Sequence, residues 1–176
     1  MVARLGMARS AAARGSLEAD AVDDLRSEAQ RILADLRELA QGIHPSVLSD
    51  GGLVEAVEER CSRLPLAVSV TASEGLRAER FDDNIEGAAY FFVSESLANV
   101  LKHANASRSS VSMTHDDGRL VLAVADDGCG FDPDVAAHNG LDGLRDRIRA
   151  LGGTVTIASR PGNGTRISAS LPVDGP

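Results

Sequence analysis

Two strand–turn–strand patterns in the second half of the chain set the tightest limit on its fold. Ser109–Thr114 and Leu120–Ala125 are rich in β-formers and flank Asp116-Asp117-Gly118, residues that accept the left-handed backbone of a tight hairpin turn. Thr154–Ser159 and Thr165–Leu171 flank Arg160-Pro161-Gly162-Asn163-Gly164 in the same way. Connections this short join antiparallel neighbours. A helical stretch from Leu141 to Leu151 precedes the second pair and stops at Gly152-Gly153. A longer one runs from Asp83 to His103, and Asp83 with Glu86 resembles a capping box at its start. Leu66–Thr71 alternates like a further strand, and a helix spans Leu53 to Arg63. Hairpins mixed with helices, rather than regular βαβ units, predict an α+β fold. The expected architecture is a two-layer α/β sandwich, with a mixed, mainly antiparallel sheet and helices on one face.

The first half reads differently. Val22, Leu25, Ala29, Ile32, Leu36, Leu39 and Ile43 recur in steps of three and four, a narrow heptad seam with charged residues around it. Such a seam suits a dimeric helical bundle; a helix lying on its own domain is the plainer reading. Val2, Leu5, Ala8 and Ala12 suggest an earlier helix that ends at Gly15, so an N-terminal helical hairpin is expected. His44-Pro45 stops the second helix. The predicted organisation is 1–45 helical, 46–52 linker and 53–173 compact α/β domain.

Composition narrows the function. Apolar residues make up 43% of the chain and aromatics 3%, so the core must come from Leu, Val, Ile and Ala. The net charge of −8 disfavours direct nucleic-acid binding and contact with anionic membranes. Cys61 and Cys129 are far apart and lack metal spacing, which fits a reducing compartment. No apolar run is long enough to span a bilayer, and no export signal opens the chain. A cytoplasmic location is expected, with a membrane-anchored parent left open.

Four short elements carry chemistry. On the long helix, Glu95 and Asn99 project about 40° apart, and Lys102 and His103 complete a polar stripe opposite Tyr90, Val93, Leu97, Val100 and Leu101. That set can hold magnesium through oxygen atoms and meet phosphates with cationic donors, although a solvated helix face looks the same. Asp126-Asp127-Gly128-Cys129-Gly130 ends a strand; a carboxylate there can accept from the amine of adenine, and glycines let backbone approach a ligand. Gly140-Leu141-Asp142-Gly143-Leu144 opens a helix, whose free N–H groups suit a phosphate chain. It lacks the Gly-Lys-Ser/Thr ending of a Walker loop. Gly162-Asn163-Gly164-Thr165 is, alone, only a turn.

The order ExxxNxxKH, DxGxG, GLxGL, GxGT resembles the asparagine box and the successive glycine boxes of the GHKL ATPase superfamily, whose sandwich is also called the Bergerat fold. The wording ESLANVLKHANAS, GLDGLRDRIRALGG and GNGTRISASLP is similar to sensor histidine kinases of the NarX/DesK type. LRELAQGIHPSVLSDGGLVEAV resembles that subgroup's junction between dimerisation helices and ATPase domain. The resemblance implies ATP and magnesium as ligands. It implies that Asn99 coordinates the metal with help from Glu95, and that these two are the catalytic pair. Lys102 and His103 would lie near the phosphates. Asp126 would read adenine, backed by Gly128 and Gly130. Gly140, Leu141, Gly143 and Leu144 would frame the phosphate lid, and Thr165 would lie near the base.

The same resemblance implies transfer of the γ-phosphoryl group to a histidine and relay to a response regulator with a helix-turn-helix output domain, in a dimer held by the N-terminal helices. Asn139 stands where many relatives carry glycine. None of His44, His103, His115 and His138 sits in an acceptor context. His115-Asp116 has the acceptor wording but enters a hairpin turn. The expectation is an acceptor lost by truncation and a chain that cannot label itself. An anti-sigma-factor serine kinase of the same superfamily is one alternative, although it lacks the heptad helix and the His-Pro junction. A non-catalytic nucleotide-dependent interaction module is the other.

Overall fold

A computed structural model describes residues 46–133 and 141–173. The predicted N-terminal helical hairpin, the His-Pro stop and the loop residues 134–140 lie outside the described residues. The chain divides into two compact units, Met1–Ile43 and His44–Pro176, and the described residues all belong to the second.

Its elements are α1 (Ser46–Ser62), β1 (Ala67–Ala72), a short 3₁₀ turn (Leu76–Ala78), α2 (Asp83–Asn99), a π-helical turn (Val100–Ala104), β2 (Arg108–Asp116), β3 (Arg119–Asp126), α3 (Leu141–Ala150), β4 (Thr154–Ser159) and β5 (Thr165–Pro172). The five strands form one sheet in the order β1-β2-β3-β5-β4. β1 pairs parallel to β2, and every other pairing is antiparallel. Both expected hairpins are present. The first turns on Asp117 and Gly118, both at positive φ, the type I′ geometry that Asp-Gly favours.

Alternation along the strands buries one face. Val111 and Met113, Leu120, Leu122 and Val124, and Ile167, Ala169 and Leu171 point into the core with Phe92, Val93 and Leu97 of α2 and Leu144 and Ile148 of α3. Aliphatic side chains dominate, as the shortage of aromatics requires. This is the α+β sandwich expected from the sequence.

The segment 46–52 is not a linker. Ser46–Gly51 forms a helical turn joined to the rest of α1 at Gly52, whose φ of 75° breaks the helix. The turn is anchored because Leu48 is completely buried in the core. Arg80 reinforces it by donating to the carbonyls of Leu48 and Ser49 at 3.2 and 3.1 Å. Turn-forming residues between two helices masked a single buried leucine that decides the matter.

The start of α2 also differs from expectation. Asp82 is the N-cap and accepts from the Asn84 N–H at 2.9 Å. Glu86, wholly buried, faces back toward the preceding chain. It accepts from the Phe81 N–H at 3.0 Å and takes a two-pronged contact from Arg80, each prong 3.0 Å. The buried carboxylate thus serves as the ion partner of Arg80 rather than as a box to Asp83.

Candidate nucleotide-binding site

The sheet ends in a polar row. The register aligns Ser109 with Asp126, Asp126 with Thr165, and Thr165 with Ser159 across β2, β3, β5 and β4. One step further in, the same rows continue as Val111, Val124, Ile167 and Ile157. Period-two alternation therefore places Asp126 and Thr165 on the core-facing side, where the apolar rows stop. Thr165 Oγ1 lies 2.9 Å from Ser159 Oγ, which also donates to the Gly164 carbonyl and accepts from the Phe131 N–H.

Above this row passes the C-terminal end of α2. Ser96 and Asn99, three residues apart, share a helix face. Together with Val100, His103, Ala104, Asp126, Cys129, Gly130, Phe131, Leu141, Thr165 and Ile167 they line a cavity of about 190 Å³. Asn99 on the helix and Asp126 on the strand end thus face one space. Leu141 enters from the start of α3, which is anchored by buried Leu144 and Ile148 and by Arg147 lying 4.3 Å over the Phe91 ring.

The polar stripe read from the helix is only partly gathered. Asn99 and His103 reach the cavity, whereas Glu95 and Lys102 are not among its lining residues. Regular α winding stops at Asn99, and Val100–Ala104 wind as a π turn before Asn105 takes a left-handed φ of 49°. Such bulges turn fewer degrees per residue and often mark functional sites. The same change leaves Leu101, expected on the apolar face, 41% exposed. Leu144, expected beside the ligand, is a core residue instead. Gly143 is exposed with open space where a Cβ would stand. Gly140 lies outside the described residues.

The glycines of the strand-end loop also let backbone approach backbone, and Gly130 lines the cavity as well. A Cβ at Gly128 would lie 2.3 Å from the Ala104 carbonyl oxygen. One at Gly130, φ 58°, would lie 2.1 Å from that of Arg160, and one at Gly164, φ 67°, would lie 2.1 Å from that of Asp126. They let three backbone segments meet: the end of the π turn, the loop after β3 and the β4–β5 loop. Hydrogen bonds seal the junction, from Cys129 N to Ala104 O (2.7 Å), Gly162 N to Cys129 O (2.6 Å) and Gly164 N to Gly128 O (2.9 Å). Asp127 adds to it, accepting from the Ser107 and Arg108 N–H groups at 2.8 and 3.0 Å. The Arg108 backbone N–H bond chiefly, with the Ser107 bond and the Arg108 charge, holds its carboxyl below the usual aspartate range.

The cavity suits a polar ligand with an apolar plate. Val100, Ala104, Phe131, Leu141 and Ile167 supply flat apolar contact. Asp126 supplies a carboxylate whose Oδ1 is tied to the Gly128 N–H at 2.8 Å, leaving Oδ2 for a donor. Asn99 Nδ2 and Ser96 Oγ are buried and have no hydrogen-bond partner among the described residues. Buried polar atoms are normally satisfied, so these two await a partner from the cavity. No group of three or more His, Cys, Asp or Glu capable of holding a metal occurs among the described residues. A magnesium ion is compatible with that, because it keeps waters and phosphate oxygens and needs only one or two protein oxygens, such as the Asn99 amide.

This architecture defines a class of nucleotide-binding proteins. Residues 85–175 match the family described as histidine kinase-, DNA gyrase B-, and HSP90-like ATPase, and the chain belongs to that family. Among curated proteins it is 28% identical over 156 residues to the signal transduction histidine-protein kinase/phosphatase DegS of Brevibacillus brevis, covering 86% of this chain and 40% of that one. It is 31% identical over 165 residues to an uncharacterized sensor-like histidine kinase of Chloroflexus aurantiacus, covering 87% of this chain and 28% of that one. The chain therefore spans less than half the length of either relative. Among solved structures, the histidine kinase domain of the Erythrobacter litoralis EL346 blue-light activated histidine kinase matches with a TM-score of 0.51 at 25% identity, covering 68% of this chain and 61% of that one. The ATP binding domain of PrrB from Mycobacterium tuberculosis shares the fold, with a TM-score of 0.51 at 23% identity, covering 70% of this chain and 92% of that one. No helix among the described residues is long and apolar enough to cross a membrane.

Proposed function

We propose that this chain is the ATP-binding catalytic region of a sensor histidine kinase of the NarX/DesK type, acting on a histidine carried elsewhere. The observation that carries the reading is the convergence of Asn99 and Asp126 on one cavity. Asp126 accepts from the amine of adenine through its free oxygen, and Thr165 lies beside it on the next strand. Asn99 would offer an amide oxygen to a magnesium ion at the phosphate end, and Glu95, one turn earlier on the same helix, would assist that ion from beyond the cavity lining. His103 and Leu141 at the start of α3 line the same cavity, and Lys102, Gly140 and Gly143 would lie around its phosphate end. Bound Mg-ATP supplies the γ-phosphoryl group, and transfer of such a group depends mainly on positioning and charge neutralisation. No nucleophile is then required of the site itself.

The chain does not phosphorylate itself. His103 lines the cavity, and His115 is held by Glu79 at 2.6 Å with its ring edge-on to Phe81. The N-terminal heptad helix pairs the chain into a dimer, and the phosphorylated histidine passes its group to an aspartate of a response regulator with a helix-turn-helix output domain. The setting is the cytoplasm.

A thermal-shift titration with ATP and magnesium tests the site. At 100 times the dissociation constant the ligand should contribute about 2.7 kcal/mol of stability. Asn99→Ala should lose most of that gain. Equal stabilisation of parent and variant, or none of either, defeats the reading. Mixing the chain with a separate acceptor helix and labelled ATP should label the helix alone; label on the chain refutes the absence of an acceptor.

A further inference from the structure

Ser96 has no part in the reading above, yet it is the most enclosed polar residue of the cavity. It is 1% exposed, it lines the cavity, and its Oγ has no hydrogen-bond partner among the described residues. A helical serine commonly satisfies its hydroxyl on the carbonyl one turn back, and Ser96 does not. It sits one turn before Asn99 on the same face, and it lines the same space as Asp126 and Thr165.

The chemistry of a 6-aminopurine explains what the hydroxyl is for. Its edge presents an amine donor beside a ring-nitrogen acceptor. Asp126 can serve only the donor, because an ionised carboxylate has no proton to give. The neighbouring ring nitrogen needs a donor. A hydroxyl is both donor and acceptor, and it reaches such an edge directly or through one water.

We infer that Ser96 is a nucleobase-recognition residue of this chain, its hydroxyl completing on the helix side the hydrogen bonding of the purine edge that Asp126 begins on the strand side. This rests on the nucleotide reading and assigns Ser96 to the base, not to the metal or phosphates.

Calorimetric titration of the full chain and of Ser96→Ala, with ATP plus magnesium and with ADP in the presence of a chelator, tests it. Ser96→Ala should bind both nucleotides about three- to tenfold more weakly, the worth of one hydrogen bond. Without nucleotide its Tm should equal or exceed that of the parent, because the hydroxyl has no partner to lose. Binding of ATP within twofold of the parent overturns the inference alone. So does a loss confined to ATP with magnesium, which would place Ser96 at the phosphate end, or a lowered Tm of the unliganded variant, which would make the hydroxyl structural. Failure of the parent to bind either nucleotide overturns the nucleotide reading and this inference with it.

Discussion

At the scale of single residues, the glycines separate into those that hold the site together and those that do not. Gly130→Ala would drive a Cβ to 2.1 Å from the Arg160 carbonyl oxygen at a φ of 58°. Chemical denaturation should show a loss of about 2–4 kcal/mol, from backbone strain plus displacement of the β4–β5 loop. Gly143→Ala meets open space within α3 and should gain about 0.5–1 kcal/mol, since alanine is the better helix former. Equal effects of the two changes would show that the loop junction is not as tight as described. The cysteines divide in the same manner. Cys129 is exposed in the cavity, its thiol directed at the His103 carbonyl at 3.4 Å. Cys61 is buried, and burial pushes its thiol up to about 11. Maleimide should therefore modify Cys129 and spare Cys61 in the native chain. ATP with magnesium should slow the reaction at Cys129; mass spectrometry after tryptic digestion identifies the site. Labelling of Cys129 at an unchanged rate would separate the nucleotide from this cavity.

At the scale of elements, the ion pair with a wholly buried partner ties the chain before α2 to its neighbours. Arg80 joins the buried Glu86 of α2 to the carbonyls that end the first turn of α1. Removing Arg80 leaves a buried carboxylate without its partner, which is a far larger insult than removing an exposed one. Arg80→Met should lower the Tm by several degrees. Arg63→Met, which breaks only the exposed i,i+4 pair with Glu59, should leave it nearly unchanged. A comparable drop for both would mean that Arg80 is no more than a surface charge. Elements with their own local signal were legible in sequence. Both hairpins, β4 and α3 lie within about a residue or two of expectation, because turn glycines and alternation are local chemistry. The π turn was not legible. Nothing in Val100–Ala104 announces a change of winding, and a wheel drawn at uniform pitch misplaced Leu101.

At the scale of the whole molecule, the junction around Asp127 couples the π turn, β2 and the loop after β3, so its charge bears on global stability. Its carboxyl is held below the ordinary aspartate value of 3.8 in the folded chain. The stability it contributes is complete above that pH and is lost as pH falls through the lower folded value. The urea midpoint of the parent should exceed that of Asp127→Asn near neutrality, and the gap should close as the solution is acidified below about pH 4. A gap that persists into strong acid would mean that shape rather than charge matters at this position.

Sequence alone determined the sandwich class and the two hairpin strand pairs, and it supplied the candidate residues for a nucleotide, because period-two alternation, turn chemistry and donor type are properties of short stretches of chain. Tertiary structure alone decided which of those residues converge. Asn99 and Asp126 meet because the end of α2 passes over a polar row set by strand register, whereas Glu95 and Lys102 are not among the residues lining that cavity and Leu144 is packed in the core. It also revealed that the loop glycines allow contacts between backbones distant in sequence, that Leu48 ties 46–52 to the core, and that Ser96 brings an unanswered hydroxyl to the same space. Each of these depends on which surfaces are brought together, and no local pattern of residues records that.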